Sequence, residues 1–189
     1  MSFDETIVRC SAPALCGIKP ASLFSMSGEC FDSGILRLKK WRAEFSRASR
    51  YVVPLKKDGG RVLFFVFDRP LLERVCADSK NRAYLEEKGY PVSRGFAAIL
   101  SEILHRLAFR REFPHEVGLF LGYPLEDVRG FEKDSSAYKF AGFWKVYGDK
   151  AEAEKRMKLY KSCSEFCMKW VDAGLNVPLS IQKYIQKGA

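Results

Sequence analysis

A chain of 189 residues with 47% hydrophobic and 29% charged content is ordinary globular composition; it excludes a mainly disordered chain, and the length suits a single domain spanning residues 1–189. No apolar run nears the ~20 residues that cross a bilayer, and the opening Met-Ser-Phe-Asp-Glu lacks the basic and apolar regions of a signal peptide, so a cytoplasmic protein without a membrane partner is expected. The formal charge of +9 leaves a polyanion partner open.

Asp4 can cap a short first helix carrying Ile7, Val8 and Cys10, and Ser11 with Pro13 restarts it as a second turn that Gly17 ends. Ser22 to Met26 has the composition of a short strand. From Asp32 a longer helix is expected, with Ile35, Leu38, Trp41 and Phe45 on one face. Tyr51–Leu55 and Arg61–Asp68 flank a Gly-containing loop, a hairpin signal. RVLFFVFD is apolar on both faces and reads as a central strand, whereas Pro54 demotes its partner to an edge or marks a bulge.

After Arg69-Pro70 comes a helix with Leu71, Leu72 and Val75, then a second that Ser79 caps and Gly89 closes. Ser93 can cap a long amphipathic helix through Phe96, Ile99, Leu100, Ile103, Leu104 and Leu107, with Arg106 in its last turns where cations suit the dipole. His105 reads as a packing or surface residue. Val117–Leu121 is rich enough in branched and aromatic residues to be a buried strand, ended by Gly122 and Tyr123. Pro124 then opens a helix with Glu126 and Asp127 in its first turn. Those acids argue against a phosphate at that helix end. Tyr138–Gly148 reads as one aromatic strand that presents Lys145 beside two rings. Asp149 caps a helix of about six turns that ends at Gly174, and Pro178 opens a last one anchored by Ile181, Tyr184 and Ile185. The fold class expected is therefore α/β (α+β): a mixed sheet of about five short strands, including one hairpin, flanked by helices.

Candidate chemistry is sparse. Of the two histidines, His115 is the better candidate for proton transfer, since it precedes an apolar run and has the carboxylate of Glu116 next in sequence. Cys10 near a helix junction could act as a nucleophile with His115 as base; a small apolar core cysteine is the plainer role. The six cysteines read as thiols, and none forms a Cys-x-x-Cys pair. Cys163 and Cys167, four apart on one helical face, could supply two soft metal ligands, but no further ligand pair is evident, so no metal site is expected. Nothing in the sequence identifies a cofactor or an oligomeric state. The basic excess concentrates between Arg37 and Arg61, in Arg37, Lys39, Lys40, Arg42, Arg47, Arg50, Lys56, Lys57 and Arg61, against Glu44 and Asp58 alone. A solvated helix face followed by a basic hairpin accounts for it, and a polyanion surface is the alternative.

Taken together, CSAPALCGIKPASLF (10–24), FPHEVGLFLGYPLEDVRGF (113–131) and FWKVYGD (143–149) resemble a bacterial family known only as domain of unknown function 3793. The likeness runs over nearly the whole chain in the same order. Matched positions include Cys10, Pro13, Gly17, Lys19, Phe113, Pro114, His115, Glu116, Gly118, Gly122, Tyr123, Pro124, Asp127, Gly130, Trp144, Lys145, Tyr147 and Cys163. The family often has a cysteine where this chain has Ala141, which puts any site depending on that cysteine in doubt. The resemblance implies no activity. Several of its polar positions are not ones that core packing selects, and they point to a small-molecule site for an anionic ligand, with His115, Glu116 and Cys10 as candidate catalytic residues and Lys19, Tyr123 and Lys145 as candidate ligand contacts. A nucleic-acid-binding module using residues 37–61 and a non-catalytic scaffold or regulatory protein are the alternatives.

Overall fold

In the computed structural model, residues 1–188 are described, except for the side chains of residues 56–58. Lys56, Lys57 and Asp58, part of the basic segment, therefore lie outside the described side chains. The fold is α+β, and the chain packs as two compact units: Met1–Pro70 together with the stretch from Tyr160 onward, and Leu71–Leu159.

In the first unit, Ser2 rather than Asp4 caps α1 (Phe3–Leu15), through a reciprocal capping box with Glu5. The helix runs through Pro13 without restarting. Proline has no N–H to offer the Arg9 carbonyl, and the Ser164 hydroxyl makes a long 3.5 Å contact with that oxygen instead. After β1 (Ala21–Ser27), Ser27 caps α2 (Gly28–Arg47), so this helix begins before Asp32. Its buried face carries Leu38, Trp41 and Phe45. Gly34 lies on the same side against Phe3, where any Cβ would overlap the ring.

β2 (Arg50–Asp58) and β3 (Arg61–Asp68) form the expected hairpin. Gly59 and Gly60 both have positive φ, as the tight two-residue connection demands. The three-stranded sheet has the order β1-β3-β2 and is antiparallel throughout. β3 is central, with Phe64, Phe65, Val66 and Phe67 all buried, and β2 is an edge whose register shifts just after Pro54. Helix α9 (Val177–Gly188) and the later part of α8 (Lys150–Asp172) complete this unit. Phe3, Ile7, Leu15, Trp41, Phe64, Cys163, Cys167 and Ile181 belong to one core.

The second unit runs from α3 (Arg69–Ala77) through α4 (Ser79–Glu87), which Asp78 caps rather than Ser79. A short 3-10 turn at Val92–Arg94 precedes α5 (Phe96–Phe109), which Gly95, not Ser93, introduces. Two expected strands also fail here. Val117–Leu121 is not a strand: it holds a one-turn helix, α6 (Val117–Phe120). Backbone bonds from Val117 to Pro114, Gly118 to His115 and Leu119 to Glu116 wind the chain as soon as it leaves Pro114. A short buried apolar run has no periodicity of its own to separate strand from helix. Tyr138–Gly148 is likewise not one strand but two bridges, β4 (Phe140–Ala141) and β5 (Lys145–Val146), folded on one another. Four of the five expected runs therefore contribute strands, and the five strands observed form two antiparallel sheets rather than one mixed sheet. Between α6 and this hairpin lies α7 (Leu125–Lys133), entered from Gly122, whose φ of 81° closes the preceding turn.

Candidate functional site

The FPHE segment divides its residues between solvent and core. His115 sits in an exposed turn, its ring 6.0 Å from Phe113 and 5.1 Å from Phe131. Glu116, one residue on, is buried. Its carboxylate accepts from Arg106 Nη1 at 2.8 Å and from the Tyr90 hydroxyl at 3.1 Å. Burial alone would raise the Glu116 carboxyl. Hydrogen bonds from Arg106, its own backbone and Tyr90 outweigh that and hold it below the usual carboxylate range. Arg106, expected merely to complement a helix end, is buried and also donates to Glu102 Oε1 at 2.6 Å and the Lys88 carbonyl at 3.0 Å. The structure therefore pairs Glu116 with Arg106 rather than with His115.

Lys145 does meet two aromatic rings, but they are Phe131, at 5.6 Å, and Tyr138, at 4.9 Å. Its ammonium also donates to the Ser135 carbonyl at 2.7 Å. His115 and Lys145 thus share the Phe131 ring. Tyr123 stacks on Trp144 with centroids 4.8 Å apart. Beneath that pair, Asp127 accepts from the Trp144 indole at 2.7 Å and from the backbone N–H groups of Tyr147 and Gly148, both at 2.8 Å. A buried carboxylate with three donors fixes the β4–β5 hairpin to α7. From sequence, Asp127 is placed in the helix's first turn and among the positions matching the family, with no sign of this hairpin contact.

Of the remaining candidates, Lys19 lies over the Tyr160 ring at 5.6 Å, within the first unit. Cys10 is in that unit too, and its thiol is pushed up by desolvation, which outweighs the Arg9 charge. That shift is opposite to the one that activates a nucleophile. The basic segment borders a cleft of about 110 Å³ lined in part by Arg42, Ser46, Arg50 and Tyr51. Arg50 is already paired with Asp68 at 3.2 Å. The cleft is small beside the several hundred Å³ of ordinary ligand pockets.

The densest chemistry lies where the sequence offered only two ligands. Cys163 and Cys167, one turn apart on α8, meet Cys16 at the C-terminal cap of α1, and the three sulfurs lie within 4.8 Å of one another. Cys16 and Cys167 are 3.8 Å apart. Cys163 and Cys167 are fully enclosed and Cys16 is 7% exposed. The Tyr184 hydroxyl hydrogen-bonds the Cys163 sulfur. Hydrogen bonds from Cys16 and then Cys163 hold Cys167 below the ordinary thiol range against its burial. Among the described residues, no other histidine, cysteine, aspartate or glutamate joins the group. Sequence spacing could reveal the two helical sulfurs; nothing local signals that the end of α1 supplies the third.

Comparison with known proteins adds a family and no activity. Neither a curated protein nor a solved structure matches the chain. A family profile described as "Protein of unknown function (DUF3793)" matches residues 7–179. That span takes in the cysteine cluster, the FPHE segment and the Asp127-bound hairpin alike, and the chain belongs to this family.

Proposed function

We propose that the protein binds a thiophilic metal ion through Cys16, Cys163 and Cys167. The observation that carries this reading is the convergence of three buried sulfurs from two helices. A metal about 2.3 Å from each sulfur needs sulfurs roughly 3.8–4.0 Å apart. The observed separations, 3.8 Å for one pair and no more than 4.8 Å for any, reach that geometry by small side-chain rotations. Thiolates are the soft ligands that select copper(I), zinc and related ions. Titrating the reduced full chain without oxygen, with Cd(II) and separately with Cu(I), should develop sulfur-to-metal charge-transfer absorption that saturates near one ion per chain. Cys167→Ser should lose it. Absence of the absorption with both ions would remove the reading.

A second reading, an anionic small ligand at the second unit, is favoured by the way His115 and Lys145 approach one ring, Phe131. A lysine and an imidazole beside a half-buried aromatic ring suit a ligand that is both flat and negatively charged. Phenyl phosphate titrated into the protein should shift the His115 ring signals in NMR, and Lys145→Ala should weaken that response. Unmoved His115 signals at millimolar ligand would count against it.

A further inference from the structure

Resting on the metal-binding reading, we infer that the cysteine cluster is a three-coordinate site for monovalent copper and discriminates against zinc. Zinc in structural sites is almost always held by four ligands in a tetrahedron, and in catalytic sites an open fourth position is filled by water. Here the sulfurs are three, and among the described residues no further histidine, cysteine, aspartate or glutamate stands with them. Burial closes the other route to a fourth ligand. Cys163 and Cys167 have no exposure and Cys16 very little, and they belong to one hydrophobic core with Ala12, Leu15, Met168 and Ile181. Apart from the Tyr184 hydroxyl, such a core offers a water few of the two to four polar partners that it needs.

Copper(I) is a soft ion for which three sulfurs are a complete coordination shell, so the same enclosure that starves zinc protects it from solvent. Three thiolates around Cu(I) carry two net negative charges, and a proton retained on one sulfur lowers that to one, the charge that three thiolates leave around a divalent ion. The Tyr184 hydroxyl, already directed at Cys163, can stabilise sulfur charge from outside the coordination shell. Binding displaces protons from the sulfurs that become thiolates and moves no electrons; the ion enters and leaves as Cu(I).

The experiment uses the full reduced chain in the absence of oxygen, with Cu(I) supplied from a bathocuproine disulfonate complex and Zn(II) as competitor. The expected result is one Cu(I) per chain, retained in a hundredfold excess of Zn(II), with X-ray absorption showing three sulfur neighbours and no nitrogen or oxygen. Cys167→Ser should weaken Cu(I) retention at least a hundredfold, while the double variant Cys10→Ser/Cys30→Ser should retain it. If the Cys167 variant fails to fold by circular dichroism, the X-ray absorption of the unmodified protein still decides. Displacement of copper by comparable zinc, or a fourth light-atom neighbour, would overturn the inference while leaving metal binding intact. Binding of neither Cu(I) nor Cd(II) would instead remove the reading on which it rests.

Discussion

Glu116 shows how one residue's neighbours decide its role. Its sequence position beside His115 suggested proton transfer, yet its carboxylate is enclosed with Arg106 and Tyr90. A carboxylate held below its ordinary value contributes stability that is fully present above the unfolded value, about 4.3, and is lost as pH falls through the lower folded value. Glu116→Gln keeps the shape and removes the charge from a buried pair. Arg106 keeps Glu102 as a partner, so the expected cost near neutrality is about 2–3 kcal/mol rather than the larger penalty of a stranded buried cation. Thermal melts of both proteins across pH should show the widest gap at neutral pH, narrowing below about pH 4, where wild-type Glu116 also becomes neutral. A gap independent of pH would mean that packing, not charge, is what Glu116 contributes. His115 shares none of this network among the contacts described, so His115→Ala should not reproduce the pH-dependent loss.

At the scale of elements, legibility followed the strength of local signals. The β2–β3 hairpin could be read because Gly59 and Gly60 supply the positive φ that its turn needs, and Pro54 marked its edge strand. Helices α2, α7 and α8 announced themselves through apolar spacing and first-turn acids or caps, with Asp149 accepting from the Glu152 N–H as expected. The failures differ in cause. Val117–Leu121 is a short buried run with no periodicity of its own to separate strand from helix, whereas Tyr138–Gly148 is an aromatic run whose geometry is set by partners distant in sequence. For the second, those partners are Asp127, which takes the Tyr147 and Gly148 amides, and the bare Cα of Gly130, where a Cβ would overlap the Tyr147 ring. The thiol cluster lies beyond local reading for the same reason. Cys163 and Cys167 show helical spacing, but only the packing of α1 brings in Cys16. Of the residues singled out as a site, Glu116 is accounted for by its ion pair with Arg106, while His115 and Lys145 meet at Phe131, a contact that no local signal reveals.

For the whole molecule, the formal charge of +9 sets an expectation that holds whichever reading of function survives. A net cation attracts any polyanion at low ionic strength, without sequence preference, because bound Lys and Arg release counterions from phosphate. The first unit determines how far this can go. Arg37 is paired with Asp4, Arg50 with Asp68, and Arg61 donates to Ser25, which leaves Lys39, Lys40, Arg42 and Arg47 exposed along α2 as the described bases best placed to meet phosphate. Arg42 also lines the small cleft against β2. Each phosphate neutralised on duplex DNA contributes about 0.9 to the slope of log affinity against log salt, so four bases predict a slope of about −3 to −4. Fluorescence anisotropy with duplexes of unrelated sequence should give equal affinities, a slope in that range, and its loss when the four bases are changed to Gln. A steeper slope, or discrimination between sequences, would show a larger and more specific interface than α2 supplies and would raise nucleic-acid binding from a consequence of charge to a function. A slope near zero would mean that the basic face does not meet phosphate at all.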